Sequence, residues 1–183
     1  MRIGTHALTS GSQSTLWKRL SQHRGTARTR SGNHRGSIFR LLLGIALARR
    51  DEIILPPSWG NGSDLGSAGR WFGMERADIR QVENDLEMRV SHYIGTMPFL
   101  WLNVDDAAGS ESERSIIERN SIALLNSYLE PAVYPPSADW LGRYSNRVPV
   151  QRSGLWNNHY VDKSWDPSFL DAMERWVERT DPG

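Results

Sequence analysis

The sequence predicts a small α/β (α+β) domain, a short sheet with helices packed around it. Three observations carry this. Phe99-Leu100-Trp101-Leu102-Asn103-Val104, set off by Pro98, is the best strand in the chain. Several other stretches repeat apolar residues at helical spacing and are bounded by capping residues. The length, 183 residues, suffices for one domain with a real core.

Met1 to Ala7 alternates weakly and reads as a short strand, closed by the turn Thr9-Ser10-Gly11-Ser12. Ser12 or Ser14 caps a helix running to about Arg24, where Gly25 stops it. Leu16, Leu20 and His23 share one stripe of that helix, and Arg19 lies one turn before His23. Thr26 to Arg35 is polar and basic, hence a loop. Ser37 opens a second helix from Ile38 to about Arg50, with Ile38, Leu41, Leu42, Ile45 and Ala46 spaced for burial. Arg49 and Arg50 suit its C-terminal dipole end.

Asp51 to Gly73 is rich in Pro, Gly and Ser and reads as a long irregular loop. Glu75 to about His92 reads as a helix whose apolar face is Ile79, Val82, Leu86, Val90 and Tyr93. Asp105 to Gly109 is a polar turn after the strand. Ser110 and Glu113 fit a capping box for a helix to about Tyr128, ended by Glu130-Pro131 and Pro135-Pro136. The tail is irregular to Asp166, which caps a last helix with Pro167 at its first position. Phe169, Leu170, Met173, Trp176 and Val177 form that helix's apolar face.

Charge divides the chain. The first fifty residues hold ten of the 22 Lys and Arg and none of the 21 Asp and Glu, so residues 51–183 carry a formal −9 although the whole is near +1. A basic end of this kind suits an anionic partner, and a nucleic-acid backbone is the commonest one. Lys18, Arg24, Arg28, Arg30, His34 and Arg35 are the candidate contacts; a solvated basic face with no partner is the bland alternative. The absence of cysteine excludes disulfides and Cys-ligated zinc and is compatible with a cytoplasmic protein. The longest apolar run, around Leu41 to Ala48, is too short to span a bilayer, and no signal-peptide core follows Met1.

Two constellations bear chemistry. Glu118 falls on a helical stripe with Ile122, Leu125 and Leu129, and a carboxylate among core-facing residues is expensive unless it is paired or holds a metal. Pairing with Arg114 or Arg119 is the structural alternative. Arg19 beside an apolar stripe can clamp a phosphate with its planar fork, and His23 near that positive charge is favoured as neutral imidazole, able to accept a proton; a helix whose Arg and His merely line the surface is the bland alternative, and by position alone the favoured one. Asp105-Asp106 reads as a solvated turn rather than a cation site.

Arg2-Ile3-Gly4-Thr5, a turn, then Leu16-x-x-Arg19-Leu20-x-x-His23 resembles the second half of a GIY-YIG nuclease motif. Phe99 to Val104 followed by Glu118-Arg119-Asn120-Ser121-Ile122 resembles the later strand and the helix with the family's single metal-binding glutamate. The resemblance covers about Arg2 to Tyr128. It implies a small, mainly antiparallel sheet flanked by helices, with residues 1–130 as the nuclease core and 131–183 as an extension packing on it. It further implies hydrolysis of DNA phosphodiesters with Mg²⁺ or another divalent cation. Arg19, His23 and Glu118 are then the catalytic residues, Glu118 holds the metal, and Gly4 lets the chain lie close to the active centre. Two departures stand out. Arg2 replaces the motif tyrosine, and the Gly-Ile-Tyr strand is missing ahead of Met1. Tyr93-Ile94-Gly95 spells the motif, but no Arg-Leu-x-x-His helix follows. The expected function is a GIY-YIG-like endonuclease, the alternative a catalytically degenerate nucleic-acid-binding domain. A protein-contact module built on the Trp-rich tail is the third possibility.

Overall fold

The computed structural model describes residues 1–26, 28–129 and 135–180. Its helices are α1 (Leu16–Arg24), α2 (Ile38–Arg50), α3 (Leu65–Phe72), α4 (Arg76–Gly95), α5 (Glu113–Leu125), α6 (Val148–Ser153) and α7 (Phe169–Arg179), with 3₁₀ turns at His34–Gly36 and Leu141–Tyr144. These residues divide into two compact units. The first comprises Met1–Leu16, Phe99–Ala138 and Val148–Gly183, the second Trp17–Pro98 and Asp139–Arg147.

The expected α/β (α+β) fold, a mainly antiparallel sheet flanked by helices, is not what forms. Among the described residues half is helix and no sheet forms; an isolated bridge, Thr26 with Ser31, is the strand pairing there. A strand needs a neighbour for its N–H and C=O groups, and neither expected strand pairs with one among the described residues. In Met1 to Ala7, the Asn157 side chain brackets Ile3, accepting from its N–H at 3.1 Å and donating to its C=O at 2.9 Å. The Trp156 N–H donates to the Met1 carbonyl. In Phe99 to Val104, the Val104 N–H turns back to the Leu102 carbonyl, while the Asn103 N–H donates to the Thr180 hydroxyl. Phe99, Leu100 and Trp101 are left exposed.

In the second unit, α2 packs on α4 and on the 3₁₀ turn Leu141–Tyr144, and α3 packs on α4. Helix α2 has the expected limits because Ser37 caps it, its hydroxyl accepting from the Arg40 N–H. Its buried side is Phe39, Leu42, Leu43, Ala46 and Leu47. Helix α3 lies inside the stretch expected to be irregular. Asp64 and Ser67 form a capping box at its start, and Gly73, at φ 64°, ends it. Helix α4 buries Ile79, Glu83, Leu86, Glu87 and Val90. Its face is rotated from the expected one, leaving Val82 48% exposed.

In the first unit, α5 packs on α7, and Ile122, Leu155 and Val161 form a core with Ile3 and Tyr128 against it. Helix α5 is capped by Ser112 rather than Ser110. It stops short of Tyr128 because the Asn126 side chain takes the Ile122 and Ala123 carbonyls. The expected stop at Glu130-Pro131 lies outside the described residues. Asp166 accepts from the Ser168 N–H at the entry to α7, so Pro167 precedes the helix instead of opening it. Phe169 is buried, whereas Leu170 and Val177 are exposed. Among the described residues no helix is long and apolar enough to cross a membrane.

Gly44 decides how α2 meets the loop before α3. The Trp59 indole crosses the helix there and donates to the Leu41 carbonyl, and a Cβ on Gly44 would sit 2.1 Å from Trp59 Cζ2. Helix propensity favours Gly44→Ala by about 1 kcal/mol, but overpacking costs about 1–3 kcal/mol. Gly44→Ala should therefore lower the urea midpoint, whereas Gly36→Ala, where a Cβ meets nothing within 4 Å, should leave it nearly unchanged.

Candidate functional site

Glu118 sits in the second turn of α5, half-buried at the edge of the packed face. Ile122, one turn on, is buried, but Leu125 and Leu129 are exposed, so the expected stripe turns outward beyond it. The Thr5 N–H donates to Glu118 Oε1 at 3.2 Å, and Gly4 lies so that a Cβ on it would be 3.9 Å from the same oxygen. The Gly4-Thr5 main chain thus runs against the carboxylate. The two expected structural partners are engaged elsewhere. Arg114 is bonded to Asp106 and to the Val104 carbonyl, and Arg119 to Glu111 and the Ser110 carbonyl. Asp106 therefore closes an ion pair at the start of α5.

Beside this lies the residue at the motif's tyrosine position. Arg2 donates from Nη1 to the Trp156 carbonyl at 2.9 Å, and its Nε is 4.0 Å from where a Gly4 Cβ would be.

Arg19 and His23 belong to the second unit, one turn apart on α1. Both are half-buried, with Leu16 and Leu20 on the same side. Arg19 Nη1 donates to Gln22 Oε1. His23 is held at three points. Its Nδ1 lies 2.7 Å from the Ser37 hydroxyl, its ring meets Phe39 edge-on, and its carbonyl accepts from Arg40 Nη1 at 2.7 Å. Gly25, at φ 82°, then ends the helix. Lys18, Arg24, Arg28 and Arg30 are exposed.

His34 and Arg35 point into the second unit instead. The Arg35 side chain is 3% exposed, forms a two-pronged pair with Glu83, and donates to the Ser58 and Asn61 carbonyls. His34, 2% exposed, places Nδ1 2.9 Å from Glu87 Oε1 and accepts from the Gly60 N–H at Nε2, which defines a neutral ring with its proton on Nδ1. It stacks on Trp59. Glu87 also receives the His34 N–H and the guanidinium of Arg40, which bonds in addition to the Glu87 carbonyl and the Ser91 hydroxyl.

Sequence reasoning missed Arg40, Glu83 and Glu87. The signal was present: Glu83 and Glu87 fall on the stripe of Ile79, Leu86 and Val90, the same pattern that singled out Glu118.

Among the described residues no three His, Asp or Glu side chains cluster as a cation cage. Mg²⁺ is commonly held by one or two carboxylates with water and substrate oxygens completing its shell. A single half-buried carboxylate fixed by a main-chain N–H fits that mode. Glu118 is the residue that would hold the ion.

A family model described as the GIY-YIG domain matches residues 1–183, the whole chain, and the protein belongs to that family. The family is one of nucleases, which act on nucleic acid and generally depend on a divalent metal. No curated protein and no solved structure matches the chain.

Burial pushes the Glu87 carboxyl up, but the hydrogen bond from His34 and the Arg40 charge outweigh it, and its pKa lies below the ordinary value. A depressed folded pKa contributes stability above the unfolded value, about 4.3 for Glu, and loses it as the pH falls through the folded value. Glu87→Ala should cost about 3–5 kcal/mol, since it leaves the Arg40 charge buried and unpaired. In urea unfolding followed against pH, the wild type should lose stability below about pH 4. Glu87→Gln should start lower and lose less on acidification; an unchanged acid slope would dismiss Glu87 as its source.

Proposed function

We propose that the chain is an endonuclease that hydrolyses DNA phosphodiester bonds with a divalent cation, Mg²⁺ being the expected one, held by Glu118. The observation that carries this is the Thr5 N–H on Glu118 Oε1. It joins the first motif segment to the later helix at the one carboxylate that the family chemistry needs. A cation bound there supplies Lewis-acid charge at the phosphoryl oxygens. The chain's own groups supply the rest. The Gly4-Thr5 main chain orients the carboxylate. Arg19 presents a planar fork to two phosphate oxygens and offsets the charge that develops on them. His23, fixed by Ser37 and Phe39, is the proton acceptor for the attacking water. Lys18, Arg24, Arg28 and Arg30 contact the backbone of the DNA.

The second reading is a nucleic-acid binder without catalysis, and Arg2 at the tyrosine position favours it. In that case binding survives Glu118→Ala and shows a steep salt dependence.

Conversion of supercoiled plasmid to nicked circles separates the two. The wild type should nick in Mg²⁺ and stop in EDTA. Glu118→Ala and Arg19→Ala should each lose roughly 10²–10³-fold in rate, the scale of removing a group that stabilises transition-state charge, with unchanged helical circular dichroism. Nicking by Glu118→Ala at the wild-type rate would refute the enzymatic reading.

A further inference from the structure

We propose that Trp17 is a base-stacking residue, and that the substrate of this chain is DNA presenting unpaired bases, a single strand or a duplex with a single-stranded segment. The proposal rests on the nucleic-acid reading above and narrows it.

Trp17 is 74% exposed, while Trp59 and Trp156 are buried at 4% and 1%. An indole is a large apolar surface to leave in water. Helix α1 shows why it stays there. Its packed side is Leu16, Arg19, Leu20 and His23, all half-buried, and its open side carries Trp17, Lys18, Ser21 and Arg24. Trp17, Ser21 and Arg24 follow one another at four- and three-residue steps and share a stripe. Ser21 is too short to cover the ring. Arg24 stands two turns further on, about 10 Å along the axis. One strand running along this stripe can set a base on the indole and a phosphate on the guanidinium.

Charge selects the occupant. The exposed charged residues around Trp17 in sequence are all basic, Lys18, Arg24, Arg28 and Arg30, and no Asp or Glu occurs before Asp51. A polyanion is attracted there and an acid-poor apolar peptide is not. Within a duplex the base faces are stacked on one another; an unpaired base has a face to offer, and aromatic residues in basic grooves take such bases with little regard to sequence. Trp71 provides the contrast within the same unit. It is 75% exposed on α3, but the charges around its segment are mixed, Asp64, Glu75 and Asp78 with Arg70 and Arg76, so no acid-free basic stretch surrounds it.

The test is fluorescence anisotropy in EDTA at low salt, with the full chain and three labelled DNAs: a single strand, a blunt duplex of the same sequence, and that duplex with a central gap. The wild type should bind the single strand and the gapped duplex more tightly than the blunt duplex. Trp17→Ala should weaken the first two about tenfold, the scale of one lost stacking contact, with an unchanged salt slope because no phosphate contact is lost. Trp17→Phe should recover most of the affinity, and Trp71→Ala should change nothing. Single-strand affinity of Trp17→Ala within twofold of wild type overturns the proposal, as does an equal loss on the blunt duplex. A wild type that binds none of the three DNAs overturns the nucleic-acid reading itself, which keeps the two failures apart.

Discussion

The second unit depends on one buried carboxylate. Glu87 receives the N–H and ring of His34 and the guanidinium of Arg40. Through Arg40 it reaches the His23 carbonyl that closes α1. Four pieces of chain, α1, the His34 turn, α2 and α4, are thereby referred to a single side chain. Such a cluster is costly to assemble, because two charges leave water, and costlier to leave half-made. Its value is geometric: the position of α1, and with it of Arg19 and His23, follows from a rigid bond set rather than from apolar packing. Helix α1 has no fully buried residue of its own.

The two glutamates of interest differ in what surrounds them. Glu87 is 3% exposed and closed in by N–H donors and a guanidinium. Glu118 is half-buried at the edge of its helix face, with a main-chain N–H on one oxygen. The first arrangement is that of a structural ion pair enclosed on every side; the second carboxylate is held against a main-chain segment. The same division separates the basic residues. Arg35 and Arg40 are consumed inside the unit, whereas Lys18, Arg24, Arg28 and Arg30 remain outside. The excess positive charge of the first fifty residues is thus part scaffold and part surface.

Local signals in the sequence were reliable where a helix is specified by its own residues. Helix α2 has its cap at Ser37 and its end at Arg50, as its pattern indicates. Helix α3 was hidden because Asp64 and Ser67, which cap it, look like further loop residues in a Gly- and Ser-rich stretch. The strands failed for a different reason. Strand propensity describes a pleated surface that some neighbour completes, and neither Met1 to Ala7 nor Phe99 to Val104 has such a neighbour here. Of the candidate site, Glu118 was legible because an acid stood among apolar positions. Glu83 and Glu87 show the same pattern but were absorbed into a generic helix surface. The inward turn of His34 and Arg35 was illegible, since it is set by those two partners some fifty residues away.

The central proposal is that Arg19 and Glu118 serve the same cleavage step. A double-mutant cycle on the single-turnover cleavage rate addresses it most directly, using Arg19→Ala, Glu118→Ala and the pair. Groups that serve one transition state are strongly non-additive. The account predicts that the double variant is little slower than the slower single variant. Losses that multiply, as for two independent sites, would contradict it.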